Sequence, residues 1–316
     1  MAKKADPPPS GILVVDKPAG LTSHQVVGRI RRIAGTRKVG HAGTLDPMAT
    51  GVLVIGIERA TRLLGYLTLN EKQYRATIRL GVSTVTDDAE GEITRANGAV
   101  GVEESLLAQE IRALTGEIRQ VPSAVSAIKI NGVRSYARVR SGEAVELAAR
   151  PVTVSRFDLL GRHDHLVVGP DDGSVPVVDL DVDVTCSSGT YIRALARDLG
   201  AALGTGGHLT SLRRTRSGVF AVGQAATLEQ LADDSSFDKP RTPGVAGSLI
   251  GIGTVARELF PIRELDDQLT AWVRSGRRLP GMRLDGLTAL LAGDGEFLAL
   301  YRPDGGDAVP EAVFVS

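Results

Sequence analysis

The stretch Gly40-His41-Ala42-Gly43-Thr44-Leu45-Asp46-Pro47 runs through Met48-Ala49-Thr50-Gly51 into the apolar Val52-Leu53-Val54-Ile55, and it limits the possible folds more than any other segment. Glycines at this density mark backbone that takes unusual dihedrals or lies close to something. Pro47 holds Asp46 extended. Together these features put one carboxylate on a stiff loop above a buried strand. A second reading makes Asp46 a helix N-cap with Pro47 at the first helical position. Gly51 leaves room for only about one turn of such a helix before the strand begins. On these residues alone both readings stand.

The flanking segments supply the frame. Gly11 to Asp16 reads as a short buried strand. Thr22 or Ser23 caps a helix to about Ala34, with Val26, Val27, Ile30 and Ile33 on one face. The strand Gly51–Ile57 is followed by a short helix over 58–67. In Lys72–Gly81, Tyr74, Ala76, Ile78 and Leu80 alternate with Arg75, Thr77 and Arg79, as expected of a half-buried strand. Thr84 to Gly91 reads as an acidic turn and 103–114 as an amphipathic helix. Two further strands fall at Pro151–Leu160 and Val177–Thr185, the second with Asp179, Asp181 and Asp183 facing water, and a turn lies at 169–174. Thr190 is expected to cap a helix over 191–203, and Leu209–Phe220 reads as a strand. The polar, Pro- and Gly-rich stretch 233–247 marks a domain boundary, and the last ~65 residues read as a small β-rich module.

Composition narrows the class. Of 316 residues, 42% are apolar and 23% charged, as in ordinary globular proteins. One cysteine, Cys186, excludes an intrachain disulfide framework and a cysteine metal cluster, and fits a reducing cytosol. Residues 1–10 read as a disordered tail, and no apolar run approaches the ~20 residues of a membrane span. Net charge is zero, with 37 basic and 37 acidic residues, but the charges are segregated. Residues 1–80 hold thirteen Lys/Arg against five Asp/Glu, and residues 81–110 hold one against seven, so a neutral chain can carry a basic face for a phosphate backbone. The segment 120–147 reads as a projecting insertion with a hairpin turn at Asn131-Gly132 and a basic cluster of Lys129, Arg134, Arg138 and Arg140 around Tyr136.

There is no phosphate-binding G-x-x-x-x-G-K-[ST] loop, no strand–GxGxxG–helix unit, no H-E-x-x-H and no G-x-S-x-G elbow. His163 and His165 lie close together but lack further ligands, so no metal is expected. What remains is Asp46 and an oddly placed Arg193, a cation in the first turn of its helix, where it opposes the helix dipole by a few tenths to ~1 kcal/mol. A carboxylate or phosphate partner explains such an arginine better than the helix does. Paired with Arg193, Asp46 would stay ionised in a pocket that excludes water, as a nucleophile or electrostatic stabiliser needs.

Five co-linear motifs then coincide: Lys17-Pro18-Ala19-Gly20-Leu21-Thr22-Ser23, Gly40 to Pro47, Lys72-Gln73-Tyr74-Arg75, Ser188-Gly189-Thr190-Tyr191-Ile192-Arg193 and Leu212-Arg213-Arg214. Over about residues 11–220 the sequence resembles the bacterial tRNA pseudouridine synthase B (TruB) family. The resemblance implies an α+β fold. Its central sheet is mixed, mainly antiparallel and flanked by helices (the pseudouridine synthase fold), with a thumb-like insertion over 120–147. It implies a catalytic domain over 11–240 and a PUA-like RNA-binding domain over 248–316. It also implies cofactor-free, metal-free isomerisation of the T-loop uridine of tRNA (conventional position 55). Nothing in the sequence suggests an obligate dimer interface, so a monomer is expected, in the cytoplasm and with no membrane partner. On this resemblance Asp46 is the catalytic aspartate, Tyr74 stacks on the flipped base and serves proton removal, and Arg193 pairs with the aspartate. His41 enters the T-loop, Leu212 walls the pocket, Lys17 and Pro18 support the catalytic loop, and Tyr191 belongs to the pocket. Lys129, Arg134 and Arg138 of the thumb contact phosphates. Two other classes stand beside it: a tRNA-binding protein or RNA chaperone, and a carboxylate-dependent nucleoside hydrolase. The hydrolase calls for a second carboxylate, and the motifs offer none.

Overall fold

The computed structural model describes residues 10–123, 129–130, 133–134, 147–170, 172–233 and 243–315. The strands are β1 (Gly11–Lys17), β2 (Val39–Ala42), β3 (Thr50–Ile57), β4 (Lys72–Leu80), β5 (Ser83–Thr84), β6 (Ile93–Arg95) and β7 (Gly116–Gln120). They continue with β8 (Lys129–Ile130), β9 (Val133–Arg134), β10 (Arg150–Val168), β11 (Ser174–Cys186), β12 (Gly207–Ser217) and β13 (Phe220–Ala221). The α-helices up to this point are α1 (Ser23–Ile33), α2 (Leu64–Thr68), α3 (Glu104–Ala113) and α4 (Ile192–Ala202). Residues Glu58–Leu63 form a 3-10 turn ahead of α2.

The main sheet has the order β1-β3-β12-β4-β11-β10-β7, with β2 added to β3 and β13 to β12. Every pairing is antiparallel except β3 with β12. That parallel contact brings Thr50 and Gly51, which close the catalytic-loop candidate, opposite Arg213 and Arg214. Gly51 has φ +96°, and a Cβ there would lie 2.2 Å from the Arg214 carbonyl oxygen, so only glycine lets the strands approach this closely.

Helix α1 starts where the sequence places it. Thr22 and Gln25 form a reciprocal capping box, and Val26, Val27 and Ile30 go into the core. They join Leu195 and Leu199 of α4, Leu107 and Ile111 of α3, and the inward residues of β4, β11 and β12 in one apolar cluster. A second cluster lies on the other face of β1 and β3. It joins Ile12, Val14, Val52 and Val54 to Val255, Ala256, Phe297 and Phe314. β1 and β3 are therefore covered on both faces, which is why they read as unbroken apolar runs.

Several expectations need correction. Thr190 does not cap α4: its hydroxyl donates to the Ser187 carbonyl (3.0 Å), and Tyr191 is the N-cap, without a side-chain cap bond. Arg193 is thus the second residue of the helix. The strand expected to end at Leu160 continues to Val168, paired along β11 as a long hairpin arm. The three aspartates of β11 do not simply face water. Arg79 holds Asp179 (2.7 Å), Thr77 donates to Asp181 (2.8 Å), and Asp183 is buried against Gln73 (3.0 Å). The cross-strand row of β4 supplies these partners.

The C-terminal part is less purely β than expected. After α5 (Leu228–Asp233) and α6 (Pro243–Ser248) come α7 (Ile252–Leu259) and α8 (Asp267–Arg274). They accompany a four-stranded sheet, β14 (Ile262–Glu264), β15 (Thr288–Leu291), β16 (Phe297–Asp304) and β17 (Asp307–Val313). Asp266 caps α8 through the Leu269 amide (2.8 Å). In the insertion, β8 and β9 pair antiparallel, with Lys129 opposite Arg134, and Asn131 and Gly132, where the turn is expected, lie outside the described residues. Tyr136, Arg138 and Arg140 lie outside the described residues. Among the described residues no helix is long and apolar enough to cross a membrane.

Candidate active site

The loop between β2 and β3 carries Asp46, and its backbone is tied down from three sides. Lys17, fully buried at the end of β1, donates its ammonium hydrogens to the carbonyls of Pro18 (2.8 Å), Leu21 (2.6 Å) and Pro47 (3.1 Å). Burial pushes the Lys17 ammonium down to about 8, while Asp46 and Glu90 pull it back up. The Gly20 amide also donates to the Pro47 carbonyl (2.8 Å). Ser23, buried at the start of α1, donates to the Leu45 carbonyl (3.1 Å) and accepts from the Leu45 amide (2.9 Å). From beneath, Arg214 donates to the Gly43 carbonyl (2.8 Å) and the Val52 carbonyl (2.7 Å). Pro18 thus joins the site through its carbonyl. The N-cap reading of Asp46 does not hold: its carbonyl accepts the Ala49 amide in a single tight turn (3.1 Å), and the strand follows at once.

The Asp46 carboxylate is 38% exposed, accessible to a substrate, and its Oδ2 lies 3.0 Å from Nε of Arg193. Arg193 is itself buried. Its Nη1 donates to the Thr86 carbonyl (2.7 Å) and lies 3.4 Å from Oδ2 of Asp88. Asp87 between them has φ +59°, a left-handed conformation that aspartate tolerates. That turn lets Thr86 and Asp88 both meet the same guanidinium. The acidic segment 84–91 is therefore part of the site, although its sequence reads only as a turn. Asp88 is a second carboxylate near Asp46, contrary to the expectation from the motifs. It is buried against the arginine that pairs with Asp46. Glu90 lies nearby too. Burial, then Asp88 and Asp46, push its carboxyl above the usual range.

Tyr74 sits on β4 between Val184 of β11 and Arg214 of β12, 8% exposed at the floor of the site. Burial pushes its phenol up, and Arg214 acts against that. Leu212, two residues before Arg214, is buried opposite Ala76 of the same strand as Tyr74. Tyr191 caps the helix that carries Arg193. Its amide donates to Oε1 of Gln120 (2.8 Å), and its carbonyl accepts from Nε2 of Gln120 (3.0 Å). Gln120 is buried at the end of β7 and was not singled out from sequence. A polar residue at a strand end gives no sign of what it will clamp 71 positions away.

His41 is on β2, half-buried, its ring edge-on to that of His24 (centroids 5.3 Å apart, planes at 81°). Its Nδ1 is buried without a hydrogen-bond partner. Burial, His24 and Arg214 all lower its pKa, so the ring is neutral at neutral pH. Lys129 and Arg134 lie opposite each other on the facing strands β8 and β9. Arg138 lies outside the described residues. Among the described residues no three His, Cys, Asp or Glu side chains converge as metal ligands.

Two solved structures share this architecture. An H/ACA ribonucleoprotein bound to a substrate RNA containing 2'-deoxyuridine matches with a TM-score of 0.69 and 26% identity, over 97% of this chain and 85% of that one. A Cbf5–Nop10–Gar1 complex matches with a TM-score of 0.70 and 28% identity, over 96% and 85%. The architecture is the pseudouridine synthase fold, a mixed sheet with a C-terminal β module. The sequence narrows the class further. The model of the TruB family pseudouridylate synthase N-terminal domain matches residues 31–192, and the two C-terminal models of that family match 193–242 and 260–315. Among relatives, the tRNA pseudouridine synthase B of Arthrobacter sp. is 54% identical over 96% of this chain and 96% of its own. That of Cutibacterium acnes is 54% identical over 93% and 94%. The chain belongs to the TruB family of tRNA pseudouridine synthases.

Proposed function

We propose that this enzyme isomerises the T-loop uridine at conventional position 55 of tRNA to pseudouridine, with Asp46 as the catalytic carboxylate. The observation that carries the assignment is the placement of Asp46. It sits on a loop braced by Lys17, Ser23 and Arg214, faces solvent, and holds Arg193 at 3.0 Å. A positioned carboxylate beside a buried aromatic floor suits a reaction that needs no redox step. The bond between N1 and C1′ breaks, the base turns, C5 joins C1′, the hydrogen on C5 leaves as a proton and N1 gains one. Asp46 can take part by attack at C1′, by attack at C6 or by assisting a glycal, and all three routes require it ionised.

A base buried in a folded loop must first be extruded, at a cost of a few kcal/mol. Stacking on Tyr74, worth about 1–3 kcal/mol, offsets that cost, and a neutral His41 can fill the vacated place in the loop. Leu212 and Tyr191 complete the wall, and Pro18 with Lys17 keeps the loop rigid. Lys129, Arg134 and Arg138 supply phosphate contacts from the thumb. We read residues 11–240 as the catalytic domain and 248–316 as the PUA-like RNA-binding domain. The reaction belongs in the cytoplasm, where tRNA matures. We read a single chain as the acting unit.

The test is tritium release from unmodified tRNA labelled at C5 of uridine. Wild-type enzyme releases tritium, and Asp46→Asn binds tRNA but releases almost none. An unchanged rate in Asp46→Asn refutes the assignment.

A further inference from the structure

Arg214 is among the largest fully buried side chains of the protein, 1% exposed. Its guanidinium binds two carbonyls, those of Gly43 and Val52. Among the described residues no carboxylate lies within ion-pair distance of it. Its surroundings are basic. It lowers the pKa of Lys17, Lys72 and His41, all of which face it from other elements. Burying a cation without a counterion is strongly unfavourable, so such a group is kept where negative charge is to appear. Its neighbour Arg213 is handled differently. It points to the other face of β12 and makes a two-pronged pair with Asp16 (2.6 and 3.0 Å). The family motif thus holds one arginine with an acid and one without.

The acceptor beside Arg214 is Tyr74. The two are cross-strand partners in the β4–β12 ladder, on the same face of the sheet, and the Arg214 charge pulls the phenol's pKa down against the upward push of burial. Cys186 of β11 and Asp46 of the catalytic loop also face that phenol. Cys186 is itself pushed up to about 11 by burial, so it stays a neutral thiol and is no anion for Arg214.

We propose that Arg214 is a positioning residue that orients the Tyr74 hydroxyl and supports negative charge on its oxygen, while its other arm fixes the catalytic loop at Gly43. The proposal rests on the reading of Tyr74 as the residue beside the flipped uridine. In the closing step C5 carries both the new bond to C1′ and its original hydrogen. The C5–H bond breaks and the proton passes to the Tyr74 oxygen, which has earlier given its own proton to water. The electron pair left behind forms the C5–C6 double bond. The displaced C6–N1 pair moves onto N1, which takes a proton from solvent. Arg214 favours the anionic form of Tyr74 that this transfer consumes.

The experiment compares wild type with Arg214→Gln, Arg214→Lys and Tyr74→Phe. Ultraviolet titration of tyrosine in the free enzyme, with Tyr74→Phe as the subtracted reference, follows the Tyr74 phenol without RNA. In Arg214→Gln the transition moves up by about one to three pH units, the shift caused by losing an adjacent opposite charge. The alkaline rise of the single-turnover rate moves with it, and Arg214→Lys restores part of both. A Tyr74 transition and a rate profile that stay in place in Arg214→Gln, with only the overall rate falling, overturn the proposal. If Arg214→Gln does not fold, as judged by thermal melting, Arg214→Lys decides: it keeps the charge but loses the spread of the guanidinium, so a smaller upward move of both the Tyr74 transition and the rate profile is expected, and no move of either overturns the proposal. Because the titration uses no RNA, it reports on Arg214 even if wild-type enzyme forms no pseudouridine in the T-loop. That result would refute only the functional reading.

Discussion

Gly51→Ala tests the geometry under the catalytic loop. Gly51 has φ +96°, and an alanine Cβ would sit 2.2 Å from the Arg214 carbonyl oxygen and 2.9 Å from its carbonyl carbon and amide nitrogen. All three are backbone atoms in a strand paired on both sides, so none can swing away as a side chain would. Holding a non-glycine residue at such a φ costs about 1–3 kcal/mol. Overpacking against a fixed neighbour costs about 1–3 kcal/mol more. The expected loss is therefore about 2–6 kcal/mol, read as a lower midpoint in reversible urea unfolding followed by circular dichroism. Activity should fall by more than about tenfold in whatever folds, because displacing Arg214 and the loop it holds misplaces Asp46. Gly28→Ala is the control. Gly28 lies in the exposed middle of α1 with nothing within 4 Å of its Cβ position, and alanine there should add about 0.5–1 kcal/mol. If Gly51→Ala unfolds within about 0.5 kcal/mol of wild type and keeps its rate, the close approach of β3 to β12 does not brace the site as argued.

Lys17 gives a pH signature. Its folded pKa of about 8 lies below the ordinary 10.5, so between these values the unfolded chain holds the extra proton and stability rises with pH. Below about 8 the penalty for the buried charge is fully present. Urea midpoints from neutral pH to pH ~10 should rise more in wild type than in Lys17→Met, and equal slopes refute the assignment. Gln120→Ala removes both bonds to the Tyr191 backbone and should cost about 1–3 kcal/mol, with a lower rate as the α4 start that carries Arg193 loosens. A melt and a rate like those of wild type would show that the clamp does no positioning. Changing Arg134 and Arg138 together to Ala should weaken tRNA binding and flatten its salt dependence, whereas an unchanged slope in a filter-binding series places the thumb arginines away from phosphates.

How much of this was legible depends on how local each feature is. The α1 cap, the apolar face of β4 and the stiff turn at Asp46-Pro47 are encoded within a few residues, and they stand in the structure as the pattern predicts. Arg193 opposes its helix dipole and so calls for a carboxylate or phosphate partner, and Asp46 is one of the carboxylates it meets. The same local rules failed at Thr190, whose hydroxyl turns back to the Ser187 carbonyl, while Gln120, far away in sequence, holds the helix start through the Tyr191 backbone. Asp88 and Thr86 escaped notice for a related reason. An acidic turn becomes part of a site only through the register of β4 and β12, which carries it to α4. Arg214 looked like one more basic residue in a basic strand. Its burial follows from the parallel contact with β3, and no pattern within β12 announces it.

The apolar seam behind β1 and β3 has a consequence for how the molecule can be cut and how it can move. Ile12, Val14, Val52 and Val54 are buried against Val255, Phe297 and Phe314, and Arg59 and Arg62 reach across to the carbonyls of Phe314 and Val313. Baring those four side chains forfeits about 1.5–3 kcal/mol each, a sum comparable with the 5–15 kcal/mol that keeps an ordinary domain folded. The C-terminal module is thus the back wall of the strands from which the Asp46 loop springs, not a handle swinging on a tether. The two parts are held at one fixed spacing, like the jaws of a clamped caliper, and a truncated chain loses that gauge together with the wall.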